Sequence, residues 1–510
     1  MKKIIRSVFG NPYALVVLSA GLLRLAFPKF DIWPLAWCGL VPFFMALEKQ
    51  RLRHVVLLSW LCGFLFFTGT LYWLVHVTVT GMLVLSAALS LFFVVFGMVV
   101  RFADTRSSAA SRIFFLAAFW TLLEYLRTQS SFGFPWPLLA HSQAGNIVAI
   151  QVADLGGAYA VSFLLVLVNA VLFELIRAQR DKRPLGMKAL ALPLCILVAW
   201  WGYGFFRVME KPASVRPLLK VALIQGNISQ EIKWVPSFSE AIEKKFRLLT
   251  ELARLKDEPG LIVWPETTVM DYLDLGAGDD AKYAAFARDI ATPLIFGSIR
   301  VSGNAYFNSA LVYDKQGRRL GVYDKIHLVP YGEYLPLRRV LPLLTRFVPI
   351  EDFTAGRYHA VFSVPGERGP VPFGILICFE DIFPELSAKL VNRGAAFLVN
   401  VTNDAWFGDS ACPYQHMQAS VFRAVENRVP VVRAANTGIS CVIDAVGRVV
   451  ARVEGPGRKA TFVTGFAAAR LWSGGRFSFY AWAGDFFVVV CMVMVAVFLW
   501  RAGRRARKGA

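Results

Sequence analysis

The stretch "GILICFED", residues 374–381, indicates how half of the chain folds. Small and apolar residues run up to Cys378, and Glu380 and Asp381 follow almost at once. A short, continuously apolar run of this kind is typical of a strand that is buried on both faces of a sheet. The polar residues begin where the strand ends, so the sequence predicts a thiol beside two carboxylates at the edge of a sheet.

Similar apolar runs recur on both sides of this stretch, within residues 212–475. They lie at 219–227, 260–266, 293–298, 308–314, 373–380, 395–404, 429–438 and 439–447. Residues 238–256 and 413–428 have helical periodicity instead. Strands that alternate with helices predict a layered α/β domain, and this length of chain can bury a full core.

The rest of the chain has the composition of a membrane protein. Of the 510 residues, 56% are hydrophobic and 18% are charged, which is unusual for a soluble protein. Apolar stretches long enough to cross a bilayer lie at 11–27, 33–47, 55–76, 81–100, 113–126, 158–176, 189–206 and 480–500. We therefore predict a seven-span membrane domain over 1–211, the α/β domain over 212–475, and an eighth span with a basic tail over 476–510.

The net charge of +20 would suggest nucleic-acid binding in a soluble protein. Outside the α/β domain, Lys and Arg residues cluster before the first predicted span, in every second loop and after the last span, whereas the first intervening loop carries Lys29 and 77–80 and 128–157 contain none. The positive-inside rule then places both termini in the cytoplasm and 212–475 on the outer side. The first span lacks a small-residue cleavage site and is predicted to be retained. Since membrane orientation explains the charge, we predict no nucleic-acid partner.

Cysteine usage leaves a free thiol outside the cytoplasm. The seven cysteines divide between the predicted spans and the α/β domain, which holds Cys378, Cys412 and Cys441. The sequence does not decide whether two of these three cysteines form a disulfide, but because their number is odd, one thiol remains free. No CxxC or HExxH spacing indicates a metal site, and we expect none.

Two further motifs end predicted strands with residues that a thiol nucleophile needs. Glu266, in "WPET" (residues 264–267), ends a predicted apolar strand. The segment "YDKIHLVPYGEYLP", residues 323–336, carries Lys325 and Glu333. A carboxylate can accept the thiol proton, and an ammonium can favour the thiolate and stabilise an oxyanion. Taken singly, Glu266 fits a helix cap, Lys325 a solvated loop and Cys378 a buried small residue. Their shared position at strand ends favours a catalytic site.

The order of Glu in "WPE", Lys in "YDKIHLVPYGE" and Cys in "ILICFED" resembles the nitrilase superfamily, whose α-β-β-α sandwich uses a Glu-Lys-Cys triad for acyl chemistry. With the spans before and after this domain, the whole chain resembles the bacterial apolipoprotein N-acyltransferase family. The resemblance implies a bacterial inner-membrane enzyme with a periplasmic catalytic domain. It further implies ping-pong transfer of a phospholipid acyl chain, through a Cys thioester, to the N-terminal amine of a diacylglyceryl-cysteine apolipoprotein, without a cofactor. We expect a monomer.

The resemblance also implies roles for individual residues. Glu266 corresponds to the general base, Lys325 to the oxyanion-stabilising lysine and Cys378 to the nucleophile. The auxiliary positions are Glu333, which would position the lysine, Glu380, the acidic residue after the nucleophile, and Phe379, which replaces a frequent tyrosine but keeps the backbone N–H.

Aromatic and apolar residues are the candidates for substrate contact. Trp234 in "EIKWVP" and Trp406 in "NDAWFGD" correspond to site-lining aromatics of the family, although core packing or a membrane-interface anchor explains them equally well. The segment "YLPLRRVLPLLTRFVPI", residues 334–350, includes Leu343, Leu344 and Phe347 and is too apolar for a free surface. It either folds onto the core or forms a lid that rests on the membrane.

Other charged residues receive structural interpretations. Arg423, Glu426 and Arg433 are predicted to form an ion-pair network. His327 and His416 are predicted to be satisfied loop or helix residues. Arg24 and Glu124, near span ends, are open to a functional role, but snorkelling is the simpler interpretation.

Two other classes of function remain open at this point. A membrane-anchored amidase or nitrilase acting on a small soluble substrate would share the triad, but it would not need so many spans. A transporter or receptor with an exported ligand-binding domain would not need the triad, and it would keep its function after Cys378→Ser.

Overall fold

The computed structural model describes residues 10–129, 133–210, 215–335, 352–475 and 477–508. Contacts between its residues divide the chain into two compact units. The first contains Met1–Glu210, Ser410–Gln418 and Ala483–Ala510, and the second contains Lys211–Asp409 and Ala419–Trp482.

The first unit is helical. Within the described ranges, six helices are long and apolar enough to cross a membrane: Leu52–Thr70, Val79–Arg106, Ala109–Thr128, Ala149–Arg180, Ala189–Met209 and Phe486–Arg504. Shorter apolar helices at Pro12–Leu25 and Trp33–Leu47 coincide with the first two predicted spans. The prediction of a polytopic helical membrane domain is confirmed, and the count of eight spans stays a prediction.

The second predicted span is not one continuous helix. A 3₁₀ turn covers Trp33–Trp37 and an α-helix covers Val41–Leu47, and each has a proline in its first turn. Proline lacks the N–H that would continue a helix but fits the start of one. The two prolines therefore begin two short helical segments.

Part of the first unit comes from far along the sequence. The helix Cys412–Asn427 begins within Ser410–Gln418, which belongs to this unit. Gln415 Oε1 accepts hydrogen bonds from Trp73 Nε1 at 3.0 Å and Trp136 Nε1 at 2.7 Å. Gln415 Nε2 donates to the carbonyl oxygen of Thr70 at 3.0 Å. One amide thus satisfies three buried polar groups among apolar helices.

The second unit contains two sheets, as far as the chain is described. The strands are β1 Pro217–Gln225, β2 Leu261–Val263, β3 Val269–Asp274, β4 Leu294–Ser302, β5 Ala305–Tyr313, β6 Arg319–Asp324, β7 Val361–Gly366, β8 Gly369–Ile377, β9 Phe397–Thr402, β10 Val431–Ala435, β11 Cys441–Ile443, β12 Val449–Arg452 and β13 Gly465–Trp472. The first sheet has the order β13-β1-β2-β4-β5-β6, with β3 paired to β4, and the second has the order β12-β11-β10-β9-β8-β7.

Apolar strand residues form the core of this unit. One cluster lies between the sheets and includes Val221, Val263 and Ile295 from the first sheet with Ile375 and Val399 from the second. A second cluster packs the outer face of the first sheet against the helices Ser239–Asp257 and Ala281–Asp289. The helix Pro384–Asn392 contacts β8 and β9. These layers confirm the predicted α-β-β-α sandwich.

Two of the strands that end in polar motifs, β2 and β8, have parallel neighbours inside their sheets, whereas β6, which precedes Lys325, is an antiparallel edge strand. β2 pairs in parallel with β1 and β4, and β8 pairs in parallel with β9, which pairs in parallel with β10. Parallel neighbours end at the same edge of a sheet. This arrangement places the residues that follow β8 beside those that follow β9, at one edge of the second sheet.

Candidate active site

Each member of the predicted triad follows the end of a strand. Glu266 comes three residues after β2, Lys325 directly follows β6, and Cys378 directly follows β8. Cys378 has a φ of 53°, a left-handed conformation that is uncommon for a residue other than glycine. The side-chain amide of Asn400 donates to the carbonyl oxygen of Cys378 at 2.9 Å and so holds this turn.

Lys325 and two carboxylates form a buried, hydrogen-bonded group. Lys325 Nζ lies 2.8 Å from Glu333 Oε1 and 3.7 Å from Glu266 Oε1. Asn308 Nδ2 lies 2.8 Å from Glu266 Oε1 and 2.8 Å from Glu333 Oε1. Because the backbone N–H of Val329 also donates to Glu333, the buried charges are paired and hydrogen-bonded, as burial requires.

Burial and neighbouring charges set the protonation states. Although burial alone would lower it, the carboxylates of Glu333 and Glu266 raise the pKa of Lys325 above its usual range. Burial raises the pKa of the Cys378 thiol, the Glu266 carboxylate raises it further, and Lys325 opposes both effects. The resting pair is therefore an ammonium and a neutral thiol, and the thiol needs a base in order to attack.

Glu380 connects the segment that carries Lys325 to the segment that carries Cys378. Its carboxylate accepts hydrogen bonds from the backbone N–H of Ile326 at 2.7 Å, of His327 at 3.0 Å and of Ile377 at 2.7 Å. The Tyr323 hydroxyl donates to the same carboxylate. Burial raises the pKa of Glu380 to about 7, although the backbone hydrogen bonds counteract it. Glu380 therefore fixes how the loop after β6 lies against the end of β8.

The predicted aromatic residues are on the surface of their unit. The side chains of Trp234 and Trp406 are 43% and 52% exposed, so neither is packed in the core. The ring of Phe379 lies 6.0 Å from that of His327 and 5.0 Å from that of Phe383. Burial lowers the pKa of His327 to about 4, which keeps its ring neutral. Leu343, Leu344 and Phe347 lie outside the described residues.

The predicted network of Arg423, Glu426 and Arg433 is differently arranged. Arg423 pairs with Glu426 at 2.8 Å. The buried Arg433 lies 3.0 Å from Asp381 and 3.0 Å from Asp404. Asp404 follows β9 and raises the pKa of Cys378, so Arg433 and its two carboxylates border the site.

The interpretation of Glu124 by snorkelling is wrong. Glu124 is buried in the first unit, and its Oε1 accepts a hydrogen bond from the backbone N–H of Leu139 at 2.7 Å. Arg24 is partly buried and donates to the carbonyl oxygens of Gly69, Phe27 and Pro28. Both side chains bind backbone groups at helix ends.

Sequence reasoning missed two residues of the site, Asn308 and Lys233. Asn308 is a polar residue within an apolar strand, and a buried amide in such a position needs partners. Lys233 directly precedes Trp234, and it is 2% exposed.

The seven cysteines are all free. Within the described residues there is no group of three or more His, Cys, Asp or Glu side chains that could hold a metal ion.

Comparisons with known proteins cover most of the chain. The model of the apolipoprotein N-acyltransferase N-terminal domain matches residues 19–171, and the carbon-nitrogen hydrolase model matches residues 220–466. The apolipoprotein N-acyltransferase of Geobacter metallireducens is 39% identical over 97% of this chain and 95% of its own length. That of Chlorobaculum tepidum is 30% identical over 98% of both chains.

A solved structure resembles the second unit. Nit3 of Saccharomyces cerevisiae, a member of branch 10 of the nitrilase superfamily, covers 51% of this chain and 93% of its own, with 18% identity and a TM-score of 0.38.

Proposed function

We propose that this chain, which belongs to the apolipoprotein N-acyltransferase family, transfers an acyl chain from a phospholipid to the N-terminal amine of an apolipoprotein. The acyl chain is carried as a thioester on Cys378. The observation that supports this most is that Lys325 Nζ lies close to the carboxylates of Glu266 and Glu333, beside a thiol whose pKa the charges of Glu266 and Lys325 affect.

In the first half-reaction, Cys378 Sγ attacks the ester carbonyl carbon of the phospholipid, and Glu266 accepts the thiol proton. The oxyanion that forms is stabilised by the Lys325 ammonium and by the backbone N–H of Phe379. The ester C–O bond then breaks, and Glu266 returns the proton to the oxygen of the departing lysophospholipid. A neutral resting thiol makes this proton transfer necessary, since the nucleophile is the thiolate.

In the second half-reaction, the amine of the diacylglyceryl-cysteine attacks the thioester carbonyl. Glu266 accepts a proton from the nitrogen, the C–S bond breaks, and the proton returns to the sulfur. The product is an N-acylated lipoprotein, and the enzyme is restored. Glu266 acts as base and then as acid in both halves, which a single carboxylate can do.

Glu333 is assigned to hold Lys325, and Glu380 to hold the loop that carries it. Trp234 and Trp406 are assigned to substrate contact because they are large, exposed and close in sequence to residues of the site.

An amidase that acts on a small soluble molecule would use the same triad. The match of the N-terminal acyltransferase model to residues 19–171 favours a lipid substrate instead.

The distribution of Lys and Arg supports the proposed orientation, and membership of the family supports the proposed membrane. The chain is embedded in a membrane, and we assign it to the bacterial inner membrane with both termini in the cytoplasm. The α/β domain is then periplasmic, where lipoprotein precursors are exposed. We further assign a monomeric state.

The test is mass analysis of the peptide that contains Cys378 after incubation of the full-length protein with phospholipid. We expect one added acyl chain, removed by hydroxylamine as a thioester would be. Cys378→Ala should abolish the adduct, whereas Cys412→Ala and Cys441→Ala, which alter other buried free cysteines, should retain it. An acyl adduct on the Cys378→Ala protein would contradict the proposal.

A further inference from the structure

A second lysine is buried at the candidate active site and has no part in the reaction described above. Lys233 ends the short helix Gln230–Lys233. Its Nζ donates to the backbone carbonyl oxygen of Glu266 at 3.2 Å and to Thr267 Oγ1 at 2.9 Å. Both acceptors are uncharged, and within the described part of the chain Lys233 forms no salt bridge. Burying an ammonium without an ion pair is costly, which points to a role in the site.

The turn that Lys233 binds is the one that carries the proposed base. Thr267 has a φ of 42°, in the left-handed region that few residues other than glycine adopt. This turn packs directly on the backbone of β4, because a Cβ at Gly297 would lie 2.5 Å from the Thr267 nitrogen and 2.6 Å from the Glu266 Cα. Space and backbone conformation are both constrained here, so the two hydrogen bonds from Lys233 stabilise an otherwise unfavourable turn.

We propose that Lys233 is a positioning residue of the acyl-transfer site. Its hydrogen bonds hold the turn so that the Glu266 carboxylate faces Asn308 and Lys325, and its ammonium adds a second positive charge that favours the Cys378 thiolate. This inference rests on the proposed function for its consequence in acyl transfer, but not for its effect on the thiol.

Electrostatic coupling between Lys233 and the thiol supports the proposed effect of the Lys233 charge on the Cys378 thiolate. Burial lowers the pKa of Lys233 to about 8, and the charges of Glu266 and of a Cys378 thiolate counteract this lowering. Coupling between two ionisable groups is reciprocal, so an ammonium at Lys233 must lower the pKa of the thiol. Other charged groups that act on Cys378 include Glu266, Lys325, Asp404 and Arg433.

A small cavity adjoins the Lys233 side chain. Its polar lining includes Lys233, Glu266, Thr267, Thr268 and Asn436, and its apolar lining consists of Ile228, Ile242, Phe246 and Met270. Lys233 therefore lies beside the base, and because its side chain is buried, its charge acts more strongly than it would at the surface.

The experiment measures alkylation of Cys378 by iodoacetamide in the full-length protein, over a pH range that spans the ordinary thiol pKa. Mass analysis of the Cys378 peptide reports the rate. Lys233→Gln removes the charge but retains a hydrogen-bond donor, and Lys233→Met removes both. Lys244→Met is the control, since Lys244 is exposed on the helix Ser239–Asp257 and pairs with Glu240.

Below about pH 8, where Lys233 is an ammonium, we expect Cys378 to be alkylated about tenfold more slowly in both Lys233 variants than in the wild-type protein. The rates should converge at higher pH, where Lys233 of the wild-type protein loses its proton. Lys244→Met should keep the wild-type profile. Acylation by phospholipid should fall more in Lys233→Met than in Lys233→Gln, because only the methionine also releases the turn.

Wild-type alkylation profiles in a folded Lys233→Gln protein would overturn the proposal, and this variant decides the matter even if Lys233→Met does not fold. Alkylation requires no lipid. If the wild-type protein were not acylated by phospholipid at all, the proposed function would fail, while the alkylation profiles would still decide whether Lys233 acts on the thiol.

Discussion

At the scale of single residues, the site combines a neutral thiol with charges that act on it in opposite directions. The Glu266 carboxylate raises the pKa of Cys378, and the Lys325 ammonium lowers it. Both residues are nevertheless required for acyl transfer in the proposed mechanism. The effect of a substitution on thiol ionisation and its effect on catalysis therefore need not have the same sign.

Glu266→Gln and Lys325→Met separate the two effects. Glu266→Gln should lower the pKa of Cys378 and accelerate its alkylation by iodoacetamide near neutral pH, because a negative charge beside the thiol is lost. Lys325→Met should raise that pKa and slow alkylation. Acylation by phospholipid should fall in both variants, by on the order of 100-fold or more.

Glu251→Gln is the control for Glu266→Gln, since Glu251 lies exposed on the helix Ser239–Asp257 and should change neither rate. Thermal unfolding should show that the Glu266→Gln domain is folded, because the glutamine oxygen can still accept from Asn308. Slower alkylation in Glu266→Gln, with a folded domain, would show that this carboxylate does not act on the thiol as the account requires.

At the scale of elements, the sequence predicted the central strands and missed the peripheral ones. The strands that lie within or overlap the predicted apolar runs are wholly or largely buried on both faces; they are β1, β2, β4, β5, β8, β9, β10 and β11. The strands that no predicted run covers have exposed or half-buried residues; they are β3, β6, β7, β12 and β13. Such strands are specified by pairing with a neighbour rather than by their own pattern.

The same distinction applies to the site. Glu266 and Cys378 lie at the ends of strands that the sequence predicts, whereas Lys325 follows β6, which it does not predict, so the motif "YDKIHLVPYGE" identified this residue. Asn308 and Lys233 act through contacts to residues far along the chain. Local pattern carries no information on such contacts, so only the folded structure identifies them.

The helix Cys412–Asn427 yields a prediction about stability. Gln415→Leu should leave the indole N–H groups of Trp73 and Trp136 and the Thr70 carbonyl without this partner. Each buried group left unsatisfied costs about 1–3 kcal/mol. We expect a clear decrease in thermal stability of the protein in detergent.

The matched control is Gln179→Leu, which changes an exposed glutamine in the helix Ala153–Arg180. This variant should unfold close to the wild-type temperature. Equal unfolding temperatures for Gln415→Leu and Gln179→Leu would mean that the three hydrogen bonds contribute little.

At the scale of the whole molecule, composition and charge were sufficient to separate a membrane part from an α/β part. Apolar length identifies helices that can cross lipid, although the short segments around Pro34 and Pro42 show how proline divides a span. The assignment of 413–428 to the α/β domain alone was incomplete, since Ser410–Gln418 belongs to the first unit. Helical periodicity describes an element and does not show where the element packs.

The central claim is that one thiol carries the acyl chain from lipid to amine. The most direct test is to isolate the acylated protein free of phospholipid, add a diacylglyceryl-cysteine peptide, and follow both the Cys378 thioester and the N-acylated peptide by mass analysis. The account predicts that the thioester is lost at the rate at which the amide product appears, in equal amounts. Release of free fatty acid with the peptide unchanged, or a thioester that persists while amide forms, would contradict it.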